Sequence, residues 1–177
     1  QSRIKNMLAN WLPEDLIPMR YGNVTYLTRN PLSHQATQSA AVIYRYDAAA
    51  GTAQLAAAFG EAEAFDNLKS PSVLALLADG KVPKDYTFLW SDRNGDGEVA
   101  AAEVTFEMKE NGASPMRLGR FNDKLRCWAG SHFYQPKAGA SQSLEFEKVA
   151  SPVHASYELS NGNLLAFRVN NDRHSGS

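Results

Sequence analysis

Apolar residues at Ile4, Met7, Leu8, Trp11 and Leu12 follow the i, i+3, i+4, i+7, i+8 spacing of one helix face, with Ser2 placed to cap the start and Pro13 to end it. This predicts a short amphipathic helix over residues 2–12 whose stripe packs against the rest of the chain. From Asn23 onward the period drops to two, and β-branched and aromatic residues run between turn formers. Residues 23–29 read as a strand. Residues 41–47 and 52–59 flank Ala48-Ala49-Ala50-Gly51 as a hairpin, with Tyr44 and Tyr46 on one face and Ile43 and Arg45 on the other. Residues 86–90 and 104–108 alternate in the same way, and Asn111-Gly112 marks a turn. Residues 117–120 and 125–128 flank Phe121-Asn122-Asp123-Lys124, and residues 155–159 and 164–169 flank Ser160-Asn161-Gly162-Asn163. Of the alanine-rich stretches, only Ala100-Ala101-Ala102 is expected to be helical.

The pattern predicts a mainly β chain, an antiparallel β-meander with a short N-terminal helix. Hairpin units recur at intervals of roughly 30 to 45 residues, within the range of propeller blades. No blade signature recurs with them, so the spacing alone describes a propeller segment, a sandwich or a meander equally. Residues 1–22 are expected to form the N-terminal helix and connector, and residues 23–177 the β-rich part.

The 177 residues are 44% hydrophobic, enough for one continuous core. Eighteen Lys and Arg against 19 Asp and Glu leave a net charge of -1, so a basic face for nucleic acid has no support. The longest apolar run, residues 73–78, is far short of the roughly 20 residues of a spanning helix, so no membrane span is expected. Cys127 is the single cysteine, which excludes an internal disulfide and multi-cysteine metal sites. The start at Gln1 and the polar tail Asp172-Arg173-His174-Ser175-Gly176-Ser177 suggest a processed or excised piece.

One segment carries specific chemistry. Residues 92–103, Asp92-Arg93-Asn94-Gly95-Asp96-Gly97-Glu98-Val99-Ala100-Ala101-Ala102-Glu103, match the twelve-residue EF-hand loop at its diagnostic positions. Calcium requires six to eight oxygens. Asp92, Asn94 and Asp96 would supply side-chain oxygens, Glu98 its backbone carbonyl, and Glu103 both carboxylate oxygens. Gly97 permits the sharp turn, Val99 is expected to point into the core, and a water would serve at Ala100. An accidental match in a chain of this length has a probability on the order of 1 in 1,000. The competing reading is a metal-free polar turn between strands.

The run Thr87-Phe88-Leu89-Trp90-Ser91-Asp92-Arg93-Asn94-Gly95-Asp96-Gly97-Glu98-Val99, followed by residues 120–128, resembles large secreted bacterial β-propeller proteins in which an EF-hand-type loop opens out of a blade. The likeness extends over residues 44–169, and only the calcium loop is specific. It implies an extracellular or periplasmic setting, where calcium is plentiful, and a set of three or four blades completed by a longer parent or a partner chain. Unlike a regulatory EF-hand, the loop is preceded by a strand and has no paired second loop, so a structural clip is expected rather than a switch.

Elsewhere the signals are weaker. His34, His132, His154 and His174 have no metal-ligand spacing, Ser131 beside His132 is not a triad, and no phosphate-binding glycine loop is present. Cys127 reads as a buried small hydrophobe. Arg20-Tyr21, Tyr44-Arg45-Tyr46, Arg126 near Trp128 and His132-Phe133-Tyr134 interleave rings with cations, a pairing suited to an acidic polysaccharide and equally to cross-strand packing. The expected function is a calcium-stabilised secreted domain that binds or scaffolds a glycan or protein. The alternatives are part of a polysaccharide lyase or hydrolase, whose catalytic residues the sequence does not identify, and a β-sandwich binding module with a structural calcium.

Overall fold

A computed structural model describes residues 3–4, 16–28, 39–110, 116–138, 143–155 and 157–165. The chain is mainly β and antiparallel, as the alternation predicts. Strands β2 (Ile17–Tyr21), β3 (Val24–Thr28), β4 (Ala40–Asp47), β5 (Thr52–Glu61), β6 (Tyr86–Ser91) and β7 (Val104–Met108) form one meander in sequence order. A long hairpin of β8 (Cys127–Pro136) and β9 (Phe146–Ala155) and a short one of β10 (Tyr157–Glu158) and β11 (Leu164–Leu165) follow.

No propeller is evident among the described residues. Six antiparallel strands continue in a single sheet where blades would divide it into fours. The helix expected at residues 2–12 is also corrected where it is described: Arg3–Ile4 is a strand, β1, parallel to β5 at Thr52 and Ala53. The reason lies in β5, which β6 covers only from Ala57 to Glu61, leaving the backbone groups of its first residues open on that side. The rest of that expected helix lies outside the described residues, as do the Asn111-Gly112 turn and residues 166–169. Ile17–Tyr21, expected as connector, is the outer strand of the sheet among the described residues, a position that tolerates Pro18 and its missing N–H.

Both faces of the sheet are covered, which is why β4 and β5 read as nearly unbroken apolar runs. Ala40, Val42 and Tyr44 face one core, shared with Leu55, Phe88 and Trp90 and closed by Phe65, Leu68 and Val73 from residues 62–85. That segment consists of 3-10 turns and one helical turn, α1 (Pro71–Leu74), which Ser70 caps by accepting the Val73 N–H. Ala41 and Ile43 face the second core, closed by Phe121, Leu125, Tyr134 and Phe146. Phe59 is central there. It stacks on Tyr134 at 4.2 Å and meets Phe146 at 5.3 Å and Phe121 at 5.9 Å.

The β4–β5 register slips between Ile43 and Tyr44, which pair with Ala57 and Leu55 and leave Ala56 as the extra residue of a bulge. Ala56 and Ala57 consequently both lie in the second core. This bulge stands where β6 gives way to the loop of residues 92–103.

The candidate calcium loop and the adjoining cleft

The loop is a continuation of the sheet. Ala57 pairs with Ser91, and one step further the Asp92 N–H donates to the Ala56 carbonyl at 2.9 Å. Beyond this bond the chain leaves β5, but Gln54 Nε2 donates to the Gly95 carbonyl at 2.8 Å and fixes the loop along the open half of the strand. Gly97 has a φ of 74°, which favours glycine, and a Cβ there would stand 2.5 Å from Gln54 Cγ and displace the side chain that holds Gly95.

The side chains fold inward onto the loop's own amides. Asp92 Oδ1 accepts the Gly95 N–H at 2.8 Å and Oδ2 the Gly97 N–H at 3.0 Å. Asn94 Oδ1 accepts from Asp96 N–H at 2.9 Å, and Asp96 Oδ1 from Glu98 N–H at 2.7 Å. Glu103 closes the wrap from the far end: Oε1 accepts the N–H groups of Arg93 at 2.8 Å and Asn94 at 3.1 Å. A single 3-10 turn at Ala101–Glu103, the realised remnant of an exiting helix, turns Glu103 back towards Asp92, and Val99 packs against the first core. Arg93 Nη2 donates to the Ala102 carbonyl across the loop.

Asp92 and Glu103 are buried, whereas Asn94, Asp96 and Glu98 are exposed. Burial pushes the Asp92 carboxyl above the ordinary range; the Gly95 and Gly97 amides counter this, and the charges of Glu103 and Asp96 add to it. Among the described residues, no three His, Cys, Asp or Glu side chains group as a metal cluster. The predicted ligand residues are nevertheless brought into one wrapped loop, their oxygens directed to backbone amides. The donor set suits calcium by chemical type: every predicted ligand is a hard oxygen, two carboxylates are already desolvated together, and the Asp92 and Asn94 oxygens, each accepting one N–H, retain a lone pair. Glu103 Oε1, by contrast, accepts two N–H groups and would have to give up one of them to an ion. Only the N–H of Glu98 has a described partner, so its carbonyl role rests on the sequence position.

Beside the loop lies a cleft of about 250 Å³. Asp92, Arg93, Asn94 and Gly95 form one wall, Tyr26, Arg45, Gln54, Leu55 and Ala56 the sheet side, and Ser143 and Leu144 the third. Tyr26 and Arg45 are register partners on β3 and β4. Burial raises the Tyr26 hydroxyl above its ordinary value against the lowering influence of Arg45. The third wall is held in place by Phe146, whose N–H donates to Ser91 Oγ at 3.0 Å beside the start of the loop. Sequence reading missed Tyr26, Gln54, Ser143 and Leu144 because they come from separate elements with no common spacing.

The other sequence candidates disperse. Tyr44 and Tyr134 are core residues. Arg126 pairs with Glu158 at 3.2 Å and lies 5.7 Å from the Phe133 ring, itself stacked on Trp128 at 4.8 Å. Buried Asn122 completes this cluster by donating to Glu158 at 2.7 Å. His132 Nδ1 contacts only its neighbour Ser131, at 3.1 Å, among the described hydrogen bonds, so no triad forms there. Cys127 is buried and its thiol donates to the Gly119 carbonyl at 3.4 Å. No helix among the described residues is long and apolar enough to cross a membrane. Comparison of the chain with family models, curated proteins and solved structures finds no match.

Proposed function

We propose that this chain is a calcium-stabilised β module of the extracellular or periplasmic space that acts by binding, with a glycan as its ligand. The observation carrying the calcium part is the burial of Asp92 and Glu103, eleven positions apart, within one loop whose sequence follows the EF-hand spacing. Asp92, Asn94, Asp96, the Glu98 carbonyl and Glu103 would hold the ion. Calcium would supply positive charge between carboxylates that otherwise repel. The ion would act as a clip: the loop is fastened to β5 at Ala56 and Gln54 and leaves directly into β7, an arrangement with no pair of helices to swing. Support for a binding role comes from the cleft, which the same loop walls.

The test is to count bound calcium by elemental analysis after dialysis against about 1 mM calcium, the range of extracellular sites. One ion per chain, lost in Glu103→Gln, is expected. No bound calcium would reject the proposal.

A further inference from the structure

We infer that the cleft between the loop and β3–β5 is the binding site for a carboxylate-bearing saccharide, held by the guanidinium groups of Arg45 and Arg93. This rests on the binding role proposed above and names its ligand class. Arg45 and Arg93 are exposed at the cleft, and neither forms an ion pair with a described carboxylate, whereas Arg126 has Glu158 and Lys109 has the buried Glu61. Arg93 gives Nη2 to the Ala102 carbonyl and keeps its other N–H groups, and Arg45 has no described carboxylate partner, so the two planar, permanently charged forks lining one small concavity suit an anion with two oxygens.

The remaining lining defines the rest of the ligand. Tyr26 and Ser143 carry hydroxyls that can both donate and accept, as a ring of hydroxyls requires, and Leu55, Ala56 and Leu144 add a short apolar strip for the C–H edge of a sugar. The volume of about 250 Å³ falls just below the 300–1,000 Å³ usual for drug-sized ligands, so one sugar residue with its carboxylate is accommodated rather than a long chain. A peptide added as a further strand is disfavoured because that mode needs a free strand edge. Here the edge of β5 is already taken, by β1 at Thr52 and Ala53 and by Asp92 at Ala56.

The site also depends on the loop. Four of its lining residues lie between Asp92 and Gly95, and Gln54 both lines the cleft and bonds Gly95, so loosening the loop dismantles one wall.

The experiment is calorimetric titration of the full chain with a galacturonate disaccharide, its neutral galactose counterpart and a diglutamate peptide, at a fixed free calcium concentration. The uronate is expected to bind and the other two to bind at least about tenfold more weakly, with Arg45→Ala losing about tenfold or more and Arg45→Lys losing less. An unchanged melting temperature in Arg45→Ala shows that the fold is retained. Equal binding of the neutral sugar, an indifferent Arg45→Ala, tighter binding of the peptide, or no binding of the uronate would each overturn the inference. Repeating the titration with Glu103→Gln separates the two readings. Uronate binding in Glu103→Gln that still needs Arg45 supports the cleft whatever that variant's calcium content, and an unaltered chain that binds uronate without holding calcium removes the calcium clip; calcium binding without uronate binding does the reverse.

Discussion

The indole N–H of Trp90 donates to Glu103 Oε2 at 3.3 Å in the buried interior, joining the last apolar residue before the loop to the residue that closes it. A charge change at Glu103 therefore occurs against an indole. Calcium titration is predicted to shift the intrinsic fluorescence of the chain, and Trp90→Phe to remove most of that response although Trp11 and Trp128 remain. A full response in Trp90→Phe would mean that calcium acts elsewhere.

The two buried carboxylates are predicted to differ when truncated. Glu103→Gln keeps one oxygen that can accept from Arg93 and Asn94 but turns its amide nitrogen, a donor, towards the Trp90 indole N–H, so the calcium-free protein should lose about 1–2 kcal/mol while calcium affinity falls about tenfold or more. Asp92→Ala strips acceptors from the Gly95 and Gly97 amides and should cost about 2–3 kcal/mol even in chelator. Urea unfolding with and without calcium measures both. Equal losses in chelator would contradict this division.

Gly60 is predicted to be the least replaceable glycine of the sheet. Its φ is 135°, and a Cβ would come to 2.1 Å from the Ser39 carbonyl oxygen, the same oxygen that accepts the Glu61 N–H at 2.8 Å. Backbone must move for any side chain to fit, so Gly60→Ala should destabilise by about 3 kcal/mol or more, or fail to fold. A loss below about 1 kcal/mol by urea midpoint would show that this region yields more easily than its packing implies.

Alkaline pH should destabilise the fold through its second core. Burial pushes the Cys127 thiol and the Tyr134 hydroxyl well above their ordinary values, with the nearby charge of Glu107 adding to the Tyr134 shift. For acids held neutral in the fold, the stabilisation is complete below the unfolded values and is lost as pH rises past them. Stability should therefore decline from about pH 8.5, where unfolded Cys ionises, and more steeply above about pH 10, where unfolded Tyr does. Urea midpoints from neutral to alkaline pH test this, and Cys127→Ala should remove the first part of the decline. A Cys127 thiol that reacts readily with a thiol reagent in the native state would contradict its burial.

What the sequence discloses follows from how local each signal is. The β4–β5 and β10–β11 hairpins and strands β3, β6 and β7 are legible because alternation and turn residues are properties of neighbouring positions. β8 and β9 escape notice for local reasons as well: a register slip between Gly130 and His132 breaks the period of one, and Pro152 interrupts the other. The helix expected at Arg3–Ile4 fails because an open stretch of β5, fifty residues away, offers backbone partners that periodicity does not register. The blade reading fails similarly, since hairpin spacing does not determine whether successive hairpins divide into blades or share one sheet. Within the site, Asp92 through Glu103 are visible as a contiguous pattern. The cleft is not, because Tyr26, Arg45, Gln54 and Ser143 meet only through the sheet register and the approach of the β8–β9 hairpin.

The most direct measurement for the central claim is a pair of thermal melts, one in excess calcium and one after chelation, with bound metal counted on the native protein. Binding to the folded state alone at 100 times Kd adds about 2.7 kcal/mol, which for a chain of this size raises the midpoint by several degrees. The predicted result is such a rise with one calcium per chain, and a clearly smaller rise in Glu103→Gln at the same calcium concentration. Superimposable melts and no bound calcium would reduce residues 92–103 to a polar turn held by its own amides and would contradict the account.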